Sequence, residues 1–171
     1  YLIVDTKFFN QSLKDEITAT FTNLDKELNG LLINSDNFQA LNLSQAYYKE
    51  KVKCIYVDPP YNTSEETFIY KNLYRHSSWL TMIANRALLA KTFLDDDGVL
   101  LIAIDDEEVY HLKLLLDGIF PEGYIGTIVT QSNPRGRGTN SFYATSHDYY
   151  LAYAPNPDLV NIIDQTLSKE Q

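Results

Sequence analysis

Residues Val57 to Thr63 read VDPPYNT, an acid, two prolines and a tyrosine directly after an apolar run. Two adjacent prolines delete two backbone donors at once, so the segment offers acceptors without donors. Such acceptors suit a planar aromatic amine, for example the exocyclic nitrogen of adenine, whose lone pair is delocalised and weakly nucleophilic. Two oxygens aimed at its two N–H bonds favour a more pyramidal nitrogen. They also stabilise the positive charge that grows as it attacks a sulfonium methyl, the logic of an oxyanion hole with the sign reversed. The Asp58 carboxylate supplies one acceptor and the Pro59 carbonyl the other. Proline at 59 also keeps Asp58 extended, pointing out of the strand end. Tyr61 supplies a flat face on which a base can stack, a contact of roughly 1–3 kcal/mol, once the base has been extruded from its duplex. The alternative is a rigid strand-to-loop turn in which Tyr61 only packs. With each residue type used at about 5%, the four-letter word arises by chance in roughly one chain of this length in a thousand.

The elements that must hold this segment follow from periodicity. Leu13, Ile17, Phe21, Leu24 and Leu28 recur at threes and fours, which predicts one helix over Ser12 to Leu28, ended by Gly30. Leu31 to Ile33 reads as a short strand closed by a polar turn at Ser35, Asp36 and Asn37, and a helix follows from Phe38. Val52 to Val57 barely alternates and reads as a fully buried strand, with Cys54 as a packed thiol inside it. Trp79 to Leu94 is again helical, capped by Ser77 or Ser78. Asp95 to Gly98 reads as a turn, Val99 to Ile104 as a second apolar strand, and Asp105 to Glu108 as the opening of a helix that runs to about Phe120. Tyr124 to Val129 and Tyr149 to Tyr153 are two further strands. This alternation predicts an α/β fold with a mostly parallel sheet and an antiparallel strand near the C-terminus. Ligands of such sheets bind beyond the carboxyl ends of the strands, where Asp58 and Asp105 both fall.

Composition narrows the class. The 171 residues fit one domain with a proper core. With 14 basic against 23 acidic side chains, the net charge of −9 argues against a protein that coats nucleic acid by charge alone. It leaves room for a nucleic-acid enzyme with a local basic patch. The lone cysteine gives no disulfide. His76, His111 and His147 are far apart, and no Cys/His or Glu/His pair is read at ligand spacing, so no metal site is expected. With no apolar run of membrane length and no leader pattern, a soluble cytoplasmic setting is expected. Because the chain starts at Tyr1, it is read as a piece of a longer polypeptide.

Other residues carry two readings each. Asp105, Asp106, Glu107 and Glu108 resemble a metal cluster, but four carboxylates at a helix start are better explained by the helix's positive end and by capping. Arg135 and Arg137, in a polar loop beside Phe142 and Tyr143, suit contacts to DNA backbone phosphates or a solvated loop. Asn62, next to the tyrosine, joins them as a candidate DNA contact. Trp79 reads as core, and His147 and Asp148 as structural.

The stretches LLINSDNFQALN, VKCIYVDPPYNT, YRHSSWLTMIANRALLAKTFLDDDGVLLIAIDDEEV and SHDYYLAYAPNP together resemble the modification subunit of type III restriction–modification systems, a β-class DNA adenine-N6 methyltransferase. The resemblance covers nearly the whole chain. It implies a methyltransferase Rossmann-like sheet, S-adenosylmethionine as donor, and methylation of N6 of a flipped-out adenine at a short site. It further implies DNA and a helicase–nuclease restriction subunit as partners, and a homo-oligomer through the full-length chain. By the family's motif, Asp58, Pro59 and Tyr61 are the catalytic set and Pro60 holds the turn. Asp36 and Asn37 resemble the motif near the donor's adenosine, with Asp58 also facing the donor; a turn cap is the other reading of that pair.

The sequence departs from the family in one respect. The Phe-x-Gly-x-Gly donor loop, which in this motif order follows a target-recognition domain, is absent, and the glycines at 136 and 138 do not replace it. Residues 1–30 are therefore read as an N-terminal helical segment and 31–171 as the catalytic half of a methyltransferase domain. In that half, Val52 to Val57 would form a bare sheet edge that seeks a partner. Rival readings are cytosine-N4 methylation, methylation of glutamine amides in proteins, and a non-catalytic interaction module with the same fold.

Overall fold

A computed structural model of the protein describes residues 5–63, 75–132, 134 and 145–162. It forms two compact units, Tyr1–Ser35 and Asp36–Gln171.

In the first unit, helix α1 spans Gln11–Ala19 and the single turn α2 spans Leu24–Glu27. The one helix expected from Ser12 to Leu28 is thus two. The Thr20 hydroxyl donates to the Ile17 carbonyl at 2.6 Å, and the Asn23 side chain accepts from the Lys26 N–H at 3.3 Å. Short polar side chains there compete for the backbone groups a continuous helix would use. The Asn10 side chain caps α1 by accepting from the Leu13 N–H at 3.0 Å. The strand expected at Leu31 to Ile33 does not form: the segment has no ladder partner and Leu32 is 96% exposed. Three apolar residues make a strand only where a sheet edge receives them.

The second unit contains α3 (Asn37–Tyr48), β1 (Val52–Val57), α4 (His76–Phe93), β2 (Leu94–Ile104), α5 (Val109–Ile119), β3 (Tyr124–Gln131) and β4 (His147–Tyr153). The strand order is β1-β2-β4-β3. β1 runs parallel to β2, and β4 is antiparallel to both of its neighbours. Three strands therefore point one way and β4 opposes them, the arrangement the sequence predicts.

The core lies between the helices and one sheet face. Trp79, Ile83, Ala87 and Ala90 of α4 and Leu112 and Leu116 of α5 pack with Leu100, Ile102 and Ile104 of β2 and Leu151 and Tyr153 of β4. Their spacings of three and four on the helices and two on the strands are the two periods that aim side chains at a common plane. Each fully buried leucine of this kind stabilises the fold by about 1.5–3 kcal/mol.

Three expectations are corrected around β1. The strand is half-exposed rather than fully buried: Ile55 and Val57 pack toward the core, while Tyr56 is 56% exposed and Cys54 is exposed. The cause is position, since β1 is outermost and, among the described residues, no strand covers its outer edge. Asp95 to Gly98 belongs to β2 rather than to a free turn. The register slips between Val52 and Cys54 as these residues join the ladder, and Lys53 bridges Asp95 and Asp97 there. Only glycine fits at position 98, because a Cβ would stand 2.7 Å from the Val52 carbonyl oxygen. Finally, neither Ser77 nor Ser78 caps α4; Arg75 occupies the cap position without a side-chain bond, and both serines lie inside the first turn.

Among the described residues, no helix is long and apolar enough to cross a membrane.

Candidate active site

β1 and β2 end side by side, Val57 opposite Ile102, so the chain leaves the sheet twice at neighbouring points. At the first exit Asp58 is exposed, Pro59 is buried and Pro60 and Tyr61 are half-buried. The turn is anchored from below: the Trp79 indole N–H donates to the Pro60 carbonyl at 2.7 Å. Trp79 is itself fully buried, so the fixed φ of the prolines and a rigid core donor together set the direction of the segment. Tyr61 packs on the core with its hydroxyl near the Asp58 carboxylate. Burial first, then the Asp58 charge and hydrogen bond, push the Tyr61 phenol well above its ordinary value. The phenol therefore stays neutral.

The chain then turns at Asn62, whose φ of 64° lies in the left-handed region. Its side chain points inward: Asn62 is 9% exposed, and its amide donates to Glu108 Oε1 at 2.6 Å. The structure thus sets Asn62 against Glu108 rather than on the surface where a DNA contact was expected.

At the second exit, the four acidic residues divide their work. Asp105 is buried and accepts from the Glu107 N–H at 3.0 Å. Asp106 accepts from the Tyr149 hydroxyl at 2.8 Å, which pushes that phenol up to about 12. Glu108 occupies the N-cap position of α5 but makes no cap bond; its side chain is wholly buried instead. Capping therefore does not explain the cluster as expected. Glu108 Oε1 also takes His76 Nδ1 at 2.8 Å, and Oε2 lies 3.2 Å from His111 Nδ1, off the line of a hydrogen bond. The two imidazoles lie against each other with ring centres 4.4 Å apart. The ligand atoms of His76, Glu108 and His111 all fall within 4.8 Å of one another. This corrects the reading that no Glu/His pair stands at ligand spacing. Glu108 and His111 are three apart on one helix, a pairing visible in the sequence, while His76 is brought in only by the fold.

Asp36 and Asn37 sit at the start of α3. Asp36 caps the helix, accepting from the Phe38 and Gln39 N–H groups at 3.0 and 3.3 Å. The Asn37 side chain accepts from Arg86 Nε at 2.6 Å, and the Arg86 guanidinium also reaches the Phe38 ring. Arg135 and Arg137 lie outside the described residues. The site residues the structure brings together are thus Asp58 with Tyr61, Pro60 with Trp79, and Asn62 with Glu108. His147 and Asp148 open β4, where His147 Nε2 meets the Tyr149 hydroxyl at 2.8 Å.

At the tip of the parallel pair β1–β2 an exposed acid thus stands beside a half-buried tyrosine. Residues 52–171 match the family described as DNA methylase, and the chain belongs to that family. It is 33% identical over 168 residues to the type III restriction-modification enzyme EcoPI Mod subunit of Escherichia phage P1, covering 80% of this chain and 26% of that protein. It is 46% identical over 100 residues to the probable type III restriction-modification enzyme HindVI Mod subunit of Haemophilus influenzae, covering 58% of this chain and 13% of that protein. The chain thus spans about a quarter or less of these relatives. Among solved structures, the cytosine-N4-specific PvuII DNA methyltransferase shares the fold, with a TM-score of 0.51 at 12% identity over 69% of this chain and 47% of that one.

Proposed function

We propose that this chain is the catalytic part of a site-specific DNA methyltransferase that places a methyl group on N6 of a flipped-out adenine, within a type III restriction–modification system. The observation that supports it most is the exposed Asp58 carboxylate at the tip of β1, held beside Tyr61 by a turn whose prolines withhold donors. The Tyr61 hydroxyl lies near the Asp58 carboxylate, which keeps capacity to accept an amine N–H. The Pro59 carbonyl takes the second N–H, Pro60 holds the turn through Trp79, and the Tyr61 ring carries the base.

The donor set fits a cationic cofactor. The exposed carboxylate and donor-free carbonyls at this strand end favour a positive centre, as S-adenosylmethionine has. When bound, that cofactor supplies an electrophilic methyl. Asp58 faces it, with Asp36 and Asn37 toward its adenosine in addition to their work at α3. Arg135 and Arg137 are the proposed DNA contacts, while Asn62, turned onto Glu108, is left to the turn, and we assign residues 31–171 to the catalytic half and 1–30 to a helical lead-in. The relatives are named as Mod subunits of type III restriction-modification enzymes, which supports a partner subunit; that this is a helicase–nuclease restriction subunit, that the whole is a homo-oligomer and that its setting is cytoplasmic complete the proposal.

Adenine is favoured over cytosine by Asp58, since families acting on cytosine N4 more often carry serine before the prolines. The test is transfer of labelled methyl by the full-length protein to duplexes whose only methylatable amine is adenine N6 or cytosine N4. Label on adenine supports the proposal; label on cytosine alone, or on neither, removes it.

A further inference from the structure

Glu108 stands out as a buried charge that neither the helix nor the proposed chemistry requires. A carboxylate taken wholly out of water is expensive unless it is paired and hydrogen-bonded. An apolar side chain at the start of α5 would fill the same place at lower cost. What Glu108 does hold is Asn62, the residue that follows Tyr61, through the 2.6 Å bond to Oε1. Asn62 makes the turn itself, with a φ of 64° in the left-handed region that asparagine enters more readily than most non-glycine residues. A side-chain tether of this kind over-determines such a backbone. His76 at the start of α4 and His111 on α5 flank the same carboxylate, so the tether's far end is fixed to both helices beneath the site.

From this geometry we infer that Glu108 is a positioning residue: through Asn62 it fixes where the chain turns after Tyr61, and so sets Tyr61 and Asp58 relative to the strand tip. The inference rests on the proposed role of Asp58 and Tyr61. An ion in the His76–Glu108–His111 cluster is the competing account. It has less support at Oε1, where Asn62 and His76 already donate at 2.6 and 2.8 Å, and it would have to act through Oε2 and His111 Nδ1, 3.2 Å apart, the pair that added zinc would probe.

The test uses the full-length protein with Asn62→Ala, Asn62→Gly and Glu108→Gln. Asn62→Ala removes the tether, Asn62→Gly supplies the backbone conformation without it, and Glu108→Gln keeps shape while removing charge. A displaced reacting group costs about a hundredfold. On that scale kcat for transfer to adenine is expected to fall about 10- to 100-fold in Asn62→Ala and Glu108→Gln. Asn62→Gly is expected to fall by less, and donor affinity in the Asn62 variants is expected to stay near wild type. Asn62→Ala keeps the test alive where Glu108→Gln does not fold. An unchanged kcat in Asn62→Ala overturns the inference while the methyltransferase reading stands. A raised KM for DNA at unchanged kcat also overturns it, by returning Asn62 to a DNA contact. Stabilisation by added zinc that Glu108→Gln abolishes overturns it in favour of the ion. A wild-type protein that transfers no methyl to adenine overturns both readings together.

Discussion

β1 and β2 leave the sheet at adjacent points, each into an acidic residue, and the two exits have opposite fates. At the β1 exit the carboxylate of Asp58 stays in solvent, with Tyr61 beside it turned half into the core. At the β2 exit the chain runs through four acidic residues to Glu108, whose carboxylate is wholly buried among Asn62, His76 and His111. The difference is made by the residues around the acids. Two prolines and a core tryptophan hold the first carboxylate outward, whereas a helix start and two histidines draw the last of the second group inward. Acidity at a strand end therefore does not define a reactive group; the direction imposed by its neighbours does.

Perturbations of the two exits should differ in kind. The largest effect is expected at Asp58: Asp58→Ala in the full-length protein should lower single-turnover methyl transfer by at least about a hundredfold, the scale for losing one preorganised group at a developing charge. Donor binding, measured by calorimetry, should largely survive. Activity retained in this variant would erase the contrast. Next is Tyr61→Ala, which should cost about 1–3 kcal/mol of base stacking, read as weaker extrusion of a 2-aminopurine placed at the target. Tyr61→Phe keeps the ring, loses only the hydroxyl that meets Asp58, and should extrude the base as wild type does. Trp79→Phe should cost about 1–3 kcal/mol in denaturant unfolding, because the Pro60 carbonyl loses its buried donor. A variant as stable as wild type would mean that the turn holds itself.

The smallest effect serves as a control far from both exits. Lys113 first, then the Tyr153 hydroxyl, hold the Asp117 carboxyl below its ordinary value of 3.8. A depressed folded value contributes stability that is present above the unfolded value and lost as pH falls through the folded one. Wild type should therefore exceed Asp117→Asn in melting temperature at neutral pH, and the gap should close below about pH 3.8. Because Asp117 is well exposed, the gap corresponds to less than about 1 kcal/mol. A gap that persists at low pH would show that shape rather than charge carries the pair.

Much of the sheet is legible from the sequence because burial writes its period directly into residue choice. Val52–Val57 and the end of β4 at Tyr153 fall where the apolar runs place them. Failures come where the outcome depends on a neighbour. Leu31 to Ile33 has the composition of a strand but joins no ladder among the described residues, and Cys54 has the composition of a core residue but is exposed. Thr20 and Asn23 break a helix whose apolar spacing is unbroken, because their side chains bond locally. In the candidate site, Asp58, the prolines and Tyr61 are readable as one word. Glu108 is not, since four consecutive acids look alike until the fold buries one of them. His76 and Asn62 meet it across 32 and 46 residues of chain, a juxtaposition no local pattern encodes.

The outer edge of β1 has one further consequence. Among the described residues no strand pairs with the outer N–H and C=O groups of Val52–Val57, and such groups invite whatever segment completes the sheet, which would dock a few residues from Asp58. Assembly and chemistry would then share a single seam, so a defect in joining would register first as a loss of turnover, before any loss of folded protein.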